Sequence, residues 1–125
     1  MAKVIGLGGV FFKSSDPEAL ANWYKTHLGM PVEHWGGCAF RALDLPKGSY
    51  SVWSPFDAGS DYFHPSRHPF MFNLVVDDLD AVLAQAAAGG AEVLPGREDT
   101  EFGRFGWFID PDGNKVELWQ MSVNS

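Results

Sequence analysis

The sequence predicts an α+β fold in which two βαβββ repeats form a half-barrel sheet around a cavity. Three observations predict it. The order strand, helix, three short strands runs twice along the 125 residues. Each helix opens on an aspartate and stops at a glycine, Asp16 and Gly29 in the first half, Asp78 and Gly90 in the second. Ser51-Val52-Trp53 then overlays Glu117-Leu118-Trp119 near the end of each half. A repeat of this kind leaves one sheet face bare, and two repeats paired edge to edge cover it. The expected boundaries are repeat one over about 3–54, a linker over 55–69 and repeat two over about 70–121, all in one domain spanning 1–125. That length suits a single core.

Val4 to Phe12 is apolar and spotted with glycine, which reads as a strand. Asp16 is placed to cap a helix, Pro17 suits its first position, and Glu18 favours the positive end of its dipole. Leu20, Trp23, Tyr24 and Leu28 recur at helical spacing. Gly29 stops that helix and Pro31 prevents its resumption. Three strands are expected next, Val32–Trp35, Cys38–Leu43 and Tyr50–Ser54, with Gly36-Gly37 turning between the first two. After the polar linker comes a strand over Phe70–Val76. A helix capped by Asp78 follows, carrying Leu79, Val82, Leu83 and Ala86. A strand over Ala91–Leu94, a polar loop from Pro95 to Gly103, and strands Phe105–Ile109 and Lys115–Met121 complete the pattern. The last two are joined by Pro111-Asp112-Gly113-Asn114.

Composition removes several function classes. The net charge of −7 argues against nucleic acid and against anionic membrane surfaces, both of which need a basic face. No apolar run approaches the roughly 18 residues of a membrane span. Met1-Ala2-Lys3-Val4 runs straight into a strand pattern without the layout of a signal peptide. The single cysteine, Cys38, rules out an intrachain disulfide. Together these lead to a cytoplasmic expectation. Five Trp and ten Phe leave large side chains for a cavity wall as well as a core.

Strand parity selects the candidate site. Val116 and Leu118 bracket Glu117, so Glu117 shares a face with Lys115 and Trp119. If the bracketing pair meets the helices, Glu117 faces the cavity and could act as a base. A structural ion pair with Arg104 or Arg41 is the equally weighted alternative. Met71, Asn73 and Val75 share one strand face, with Asn73 as a polar anchor. Phe70, Phe72 and Leu74 share the face expected to meet a helix. Trp53 and Trp119 are twin cavity walls or twin core plugs, and Arg104 is a further candidate ligand contact. The linker histidines His64 and His68 read as exposed, because Pro65 and Pro69 exclude the helix an i, i+4 zinc pair would need. His27 and His34 read as lone surface or partly buried residues. Cys38 reads as a buried structural thiol. Gly6-Leu7-Gly8-Gly9 lacks the spacing of a phosphate loop and reads as close strand packing.

The run Gly103-Arg104-Phe105-Gly106-Trp107-Phe108-Ile109-Asp110-Pro111-Asp112-Gly113-Asn114-Lys115-Val116-Glu117-Leu118-Trp119 resembles the closing hairpin of a vicinal oxygen chelate domain. That superfamily includes glyoxalase I, bleomycin resistance protein and extradiol dioxygenases. Val75-Val76-Asp77-Asp78-Leu79-Asp80 resembles the strand-to-helix join of its second repeat. Ser15-Asp16-Pro17 through Trp23-Tyr24 and Leu28-Gly29 resembles the same join in the first. The resemblance implies a sheet-lined cavity and, in metal-using members, four inward ligand positions. Here those positions are Gly9, Ser51, Met71 and Glu117. Glycine offers no ligand, a thioether suits hard ions poorly, and one carboxylate makes no site, so no metal cofactor is expected.

The resulting expectation is metal-independent binding of a small organic molecule. The alternative is a glyoxalase-like lyase, isomerase or dioxygenase using Glu117 as base or metal ligand. A third class is an interaction domain presenting Phe56, Tyr62 and Phe63 of the linker as a contact patch. A homodimer is expected, from the unpaired edges of the first strands and from the resemblance.

Overall fold

Two helices pack on one face of a five-stranded mixed sheet in the computed structural model, which describes residues 1–122. The last three positions of the expected 1–125 domain lie outside the described residues. Helix α1 spans Pro17–Leu28 and α2 spans Leu79–Ala88. The strands are β1 (Phe72–Val75), β2 (Glu92–Val93), β3 (Glu98–Thr100), β4 (Gly103–Ile109) and β5 (Lys115–Met121). The sheet order is β1-β5-β4-β2, and β3 also pairs with β4. β1 runs parallel to β5; the other pairs are antiparallel.

Both helices start as the sequence requires. Asp16 accepts from the Ala19 amide at 3.0 Å and Asp78 from the Ala81 amide at 3.1 Å, each satisfying a backbone donor that has no partner within its helix. Gly29 closes α1 at φ 66°, a left-handed conformation that glycine adopts without steric cost. Leu20 and Tyr24 of α1 and Leu79, Val82, Leu83 and Ala86 of α2 form the core with Phe108, Val116 and Leu118 of the sheet. Phe72 and Leu74 pack against this core, as their shared face predicts; Phe70, expected with them, instead meets Phe12 and Phe72 outside it. Gly106 marks a close approach of α2 to the sheet: a Cβ there would lie 2.8 Å from Leu83 Cδ1.

The expected strands of the first repeat do not form. Val4–Phe12, Val32–Trp35, Cys38–Leu43 and Tyr50–Ser54 enter no ladder; Ala42–Asp44 is instead one short 3-10 turn. The Gly36-Gly37 turn closes, with the Glu33 amide donating to the Gly37 carbonyl at 2.8 Å, yet no hairpin extends from it. A strand holds only when its backbone groups are paired and one face is covered. Here both conditions fail together, since Ile5, Phe11, Leu43 and Trp53 are exposed. Within one chain the first repeat therefore contributes its helix to the core and no strand to the sheet. A second difference is β3, which occupies part of the expected Pro95–Gly103 loop and pairs Glu98 with Phe105. No helix among the described residues is long and apolar enough to cross a membrane.

A buried polar knot ties α1 to the β4–β5 hairpin. Asp110 and Asn114 are almost fully buried. One Asp110 oxygen, Oδ1, accepts from the amides of Asp112 and Asn114, both at 2.9 Å. The other, Oδ2, accepts from Tyr24 Oη at 2.9 Å and Asn114 Nδ2 at 2.8 Å. Burial, then the charge and hydrogen bond of Asp110, push the Tyr24 phenol well above its ordinary range. Tyr24→Phe removes one donor to a buried carboxylate and should lower unfolding stability by about 1.5–3 kcal/mol. Urea unfolding measures this; an unchanged midpoint would show that the knot does not hold the helix.

Candidate functional site

β5 lies between β1 and β4, so its open-face side chains have neighbours on both sides. The parallel and antiparallel registers place Asn73, Glu117 and Trp107 in one row, and Val75, Trp119 and Phe105 in the next. Val116 and Leu118 are fully buried on the helix face, which turns Glu117 to the opposite one. Its Oε1 accepts from Asn73 Nδ2 at 2.7 Å. Its Oε2 accepts from Trp107 Nε1 at 2.9 Å and from Tyr62 Oη at 2.7 Å. Three donors from two strands and the linker thus hold one carboxylate. A carboxylate offers about four acceptor directions, so roughly one remains for an incoming donor.

Lys115 completes the cluster. Its Nζ donates to the Tyr62 carbonyl and lies 5.0 Å from the Tyr62 ring centre and 5.8 Å from that of Trp107. Burial lowers its pKa, while the negative charges of Glu117 and Asp61 act the other way. The Tyr62 phenol shifts upward, first by burial and then by its hydrogen bond to Glu117 and that residue's charge.

Above this face is an open cleft of about 1280 Å³, lined by Phe70, Met71, Asn73, Phe105, Glu117 and Trp119 together with the linker. A recess of about 510 Å³ meets it at Tyr62, Phe105 and Glu117. Trp119 is anchored by its Nε1 donating to the Phe102 carbonyl at 2.9 Å. It stacks on Phe105 with ring centres 5.5 Å apart and meets Tyr50 edge-on.

Of the residues singled out from sequence, the structure brings Glu117, Asn73, Met71 and Trp119 to one cleft. It does not bring Trp53, which is 80% exposed, so the expected twin of Trp119 is no counterpart. Arg104 lies on the helix face, pairing with Asp80 at 3.2 Å and Asp99 at 3.4 Å. The expected ion pair from Arg104 or Arg41 to Glu117 is replaced by neutral donors. Tyr62 and Trp107 are the partners that sequence reasoning missed. Parity in β4 was the available signal for Trp107; Tyr62 carried none, because a linker has no period. Phe56, Tyr62 and Phe63, the expected contact patch, pack on one another; Tyr62 also meets Trp107, and Phe56 stays exposed. His68, expected to be exposed, is half-buried with Nδ1 2.7 Å from Asn114 Oδ1. Cys38 is a free, half-buried thiol, pushed up by burial and by Glu33, which disfavours the nucleophilic thiolate.

The donor set does not fit a divalent cation. Of Gly9, Ser51, Met71 and Glu117 only the last is a strong ligand, and a single carboxylate does not make a site. Among the described residues no group of three or more His, Cys, Asp or Glu side chains gathers to hold one.

The glyoxalase-like domain family matches residues 9–119. A protein named "Putative glyoxylase CFP32" from Mycobacterium bovis is 29% identical over 119 residues, covering 89% of this chain and 44% of that protein. Its namesake from Mycobacterium tuberculosis matches to the same extent. The chain thus spans less than half the length of these relatives. Among solved structures, TnmS3, an antibiotic-binding protein from Streptomyces sp. CB03234, is similar at a TM-score of 0.52 and 26% identity. The match covers 87% of this chain and 89% of that one.

The Tyr62–Glu117 bond has a pH signature. A phenol with a raised folded pKa contributes its stability fully below about pH 10, where unfolded tyrosine titrates, and loses it as pH rises further. Wild-type stability should therefore fall more steeply above about pH 10 than that of Tyr62→Phe. Unfolding curves recorded from about pH 8 to about pH 11 compare the two. Parallel curves would remove Tyr62 from the cluster.

Proposed function

The chain belongs to the glyoxalase-like domain family, and from that premise we propose that it binds a small, partly apolar organic molecule without a metal. The observation that carries this reading is the Glu117 row: one fixed carboxylate with an acceptor direction to spare, on an otherwise aromatic sheet face. An apolar wall with few polar groups is the usual make-up of a small-molecule site. The similarity to TnmS3, an antibiotic-binding protein, supports the same class of ligand. In this proposal Glu117 and Asn73 orient the ligand, while Met71 and Trp119 supply apolar walls. Arg104 and Trp53 join the site only through a rearrangement of the helix-face ion pairs and of the first half.

The name of the mycobacterial relatives favours a second reading, a glyoxalase-like lyase, isomerase or dioxygenase. There Glu117 would take or return a proton, with Tyr62 and Trp107 holding it in position. Elemental analysis separates the two readings. About one tightly held Ni, Zn, Fe or Mn ion per chain, lost together with turnover on chelation, would promote the enzyme. A panel of planar aromatic compounds tested by quenching of tryptophan fluorescence provides the positive test. At least one should bind, EDTA should leave the affinity unchanged, and Glu117→Gln should weaken it by roughly 10-fold, the value of one hydrogen bond to a charged group.

The proposed functional form is a homodimer in which the first-half strands find partners and complete the two-repeat half-barrel of a single 1–125 domain. Support comes from the exposed Ile5, Phe11, Leu43 and Trp53, and from relatives with more than twice the aligned length in one chain. The exposed apolar side chains need a cover, and a second copy supplies complementary edges. Light scattering should give twice the chain mass; a monomer mass independent of concentration would exclude it.

A further inference from the structure

His68 ties the linker to the buried knot. Its Nδ1 lies 2.7 Å from Asn114 Oδ1, and its ring stacks on Phe70 with centres 5.2 Å apart and planes 21° apart. The direction of this bond follows from its neighbours. Asp110 receives four donors, from Tyr24, Asp112 and twice from Asn114. A carboxylate so surrounded only accepts, so the Asn114 amide nitrogen must face Asp110 and its oxygen must face His68. That oxygen cannot donate. His68 must therefore carry its proton on Nδ1, and a neutral ring then presents a bare lone pair at Nε2.

No hydrogen bond engages Nε2 among the described residues. No unpartnered side-chain nitrogen or oxygen is fully buried there, so Nε2 keeps some exposed surface. His68 lines the same cleft as Glu117. An acceptor of fixed orientation next to a stacked aromatic ring matches a flat ligand that carries its own O–H donor.

We propose that His68, locked as the Nδ1–H tautomer by Asn114 and Asp110, is a ligand-binding anchor that accepts a hydrogen bond from a hydroxyl-bearing aromatic compound. This rests on the reading of the cleft as a small-molecule site and adds a donor requirement to it. Glu117 and His68 then place two acceptors along one cleft, which selects ligands with more than one hydroxyl over fully apolar ones. Asn114 and Asp110 are positioning residues: they touch no ligand and act by fixing the tautomer.

The test has two arms. Long-range proton–nitrogen correlation spectra of the unliganded protein at about pH 8, above the ordinary imidazole range, report the tautomer directly. The expected result is Nδ1–H at His68, against the Nε2–H form that an unrestrained neutral imidazole prefers. An Nε2–H signal at His68 would overturn the proposal. The second arm compares 1-naphthol with 1-methoxynaphthalene, the same ring without the donor. The naphthol should bind roughly 3- to 10-fold tighter, the range of one neutral hydrogen bond, and should shift the His68 Nε2 resonance. His68→Phe keeps the stack on Phe70 and should reduce the preference at least about 2-fold; an undiminished preference would assign the hydroxyl to Glu117 and remove the anchor, and His68→Leu serves as the same test if the first variant does not fold. Equal binding of both probes to the wild type would keep the cleft and remove the anchor. Binding of neither would overturn the cleft reading and the anchor together.

Discussion

The buried carboxylate of Asp110 is the interaction on which the rest of the structure depends. Desolvating a carboxylate costs several kcal/mol unless donors surround it. Here the turn Asp110–Asn114 bends so that two of its own amides and one side-chain amide point back at Asp110, and Tyr24 of α1 closes the remaining gap. That geometry determines the register of the hairpin, because the same turn pairs Ile109 with Lys115. Every residue pair along β4 and β5 follows from it. A slip by one residue would send Glu117 to the helix face and expose Val116 and Leu118. The site on the open face is therefore a consequence of a turn on the core side.

The two faces of the β4–β5 hairpin carry opposite physics. Toward the helices, Phe108, Val116 and Leu118 are fully buried among α1 and α2. Toward the cleft, a charged group is tolerated because neutral donors on three elements point at it and water still has access. No salt bridge reaches Glu117 among the described residues; Lys115 on the same face acts on its charge through space. Arg104, one residue before Phe105 on β4, faces the other way and is neutralised by Asp80 and Asp99. Alternation along a single strand thus separates the ion pairs of the scaffold from the carboxylate of the cleft.

The linker is the element whose role differs most between sequence and structure. It holds no secondary structure apart from turns, yet Tyr62 and His68 return to the β4–β5 hairpin and bond to Glu117 and Asn114. Loops positioned by a rigid scaffold commonly carry binding groups, because their backbone is free of ladder constraints. Their hydrogen-bond partners are 55 and 46 residues away in sequence. Such contacts have no local signature.

What the sequence determined by itself was local. Asp16, Asp78 and the closing glycines set the helix ends, because capping involves atoms within a few residues. Period two set the inward residues of β5 and β1, so Glu117, Asn73, Met71 and Trp119 were legible as one face. The tertiary structure decided what lies across space. It gave Glu117 neutral donors in place of an arginine, turned Arg104 to the helices, left Trp53 exposed and tied one ring nitrogen of His68 to Asn114. It also decided which strands exist. Val4–Phe12 and Tyr50–Ser54 have strand composition, but a strand is a pairing and not a property of one segment. In the single chain those segments find no partner edge.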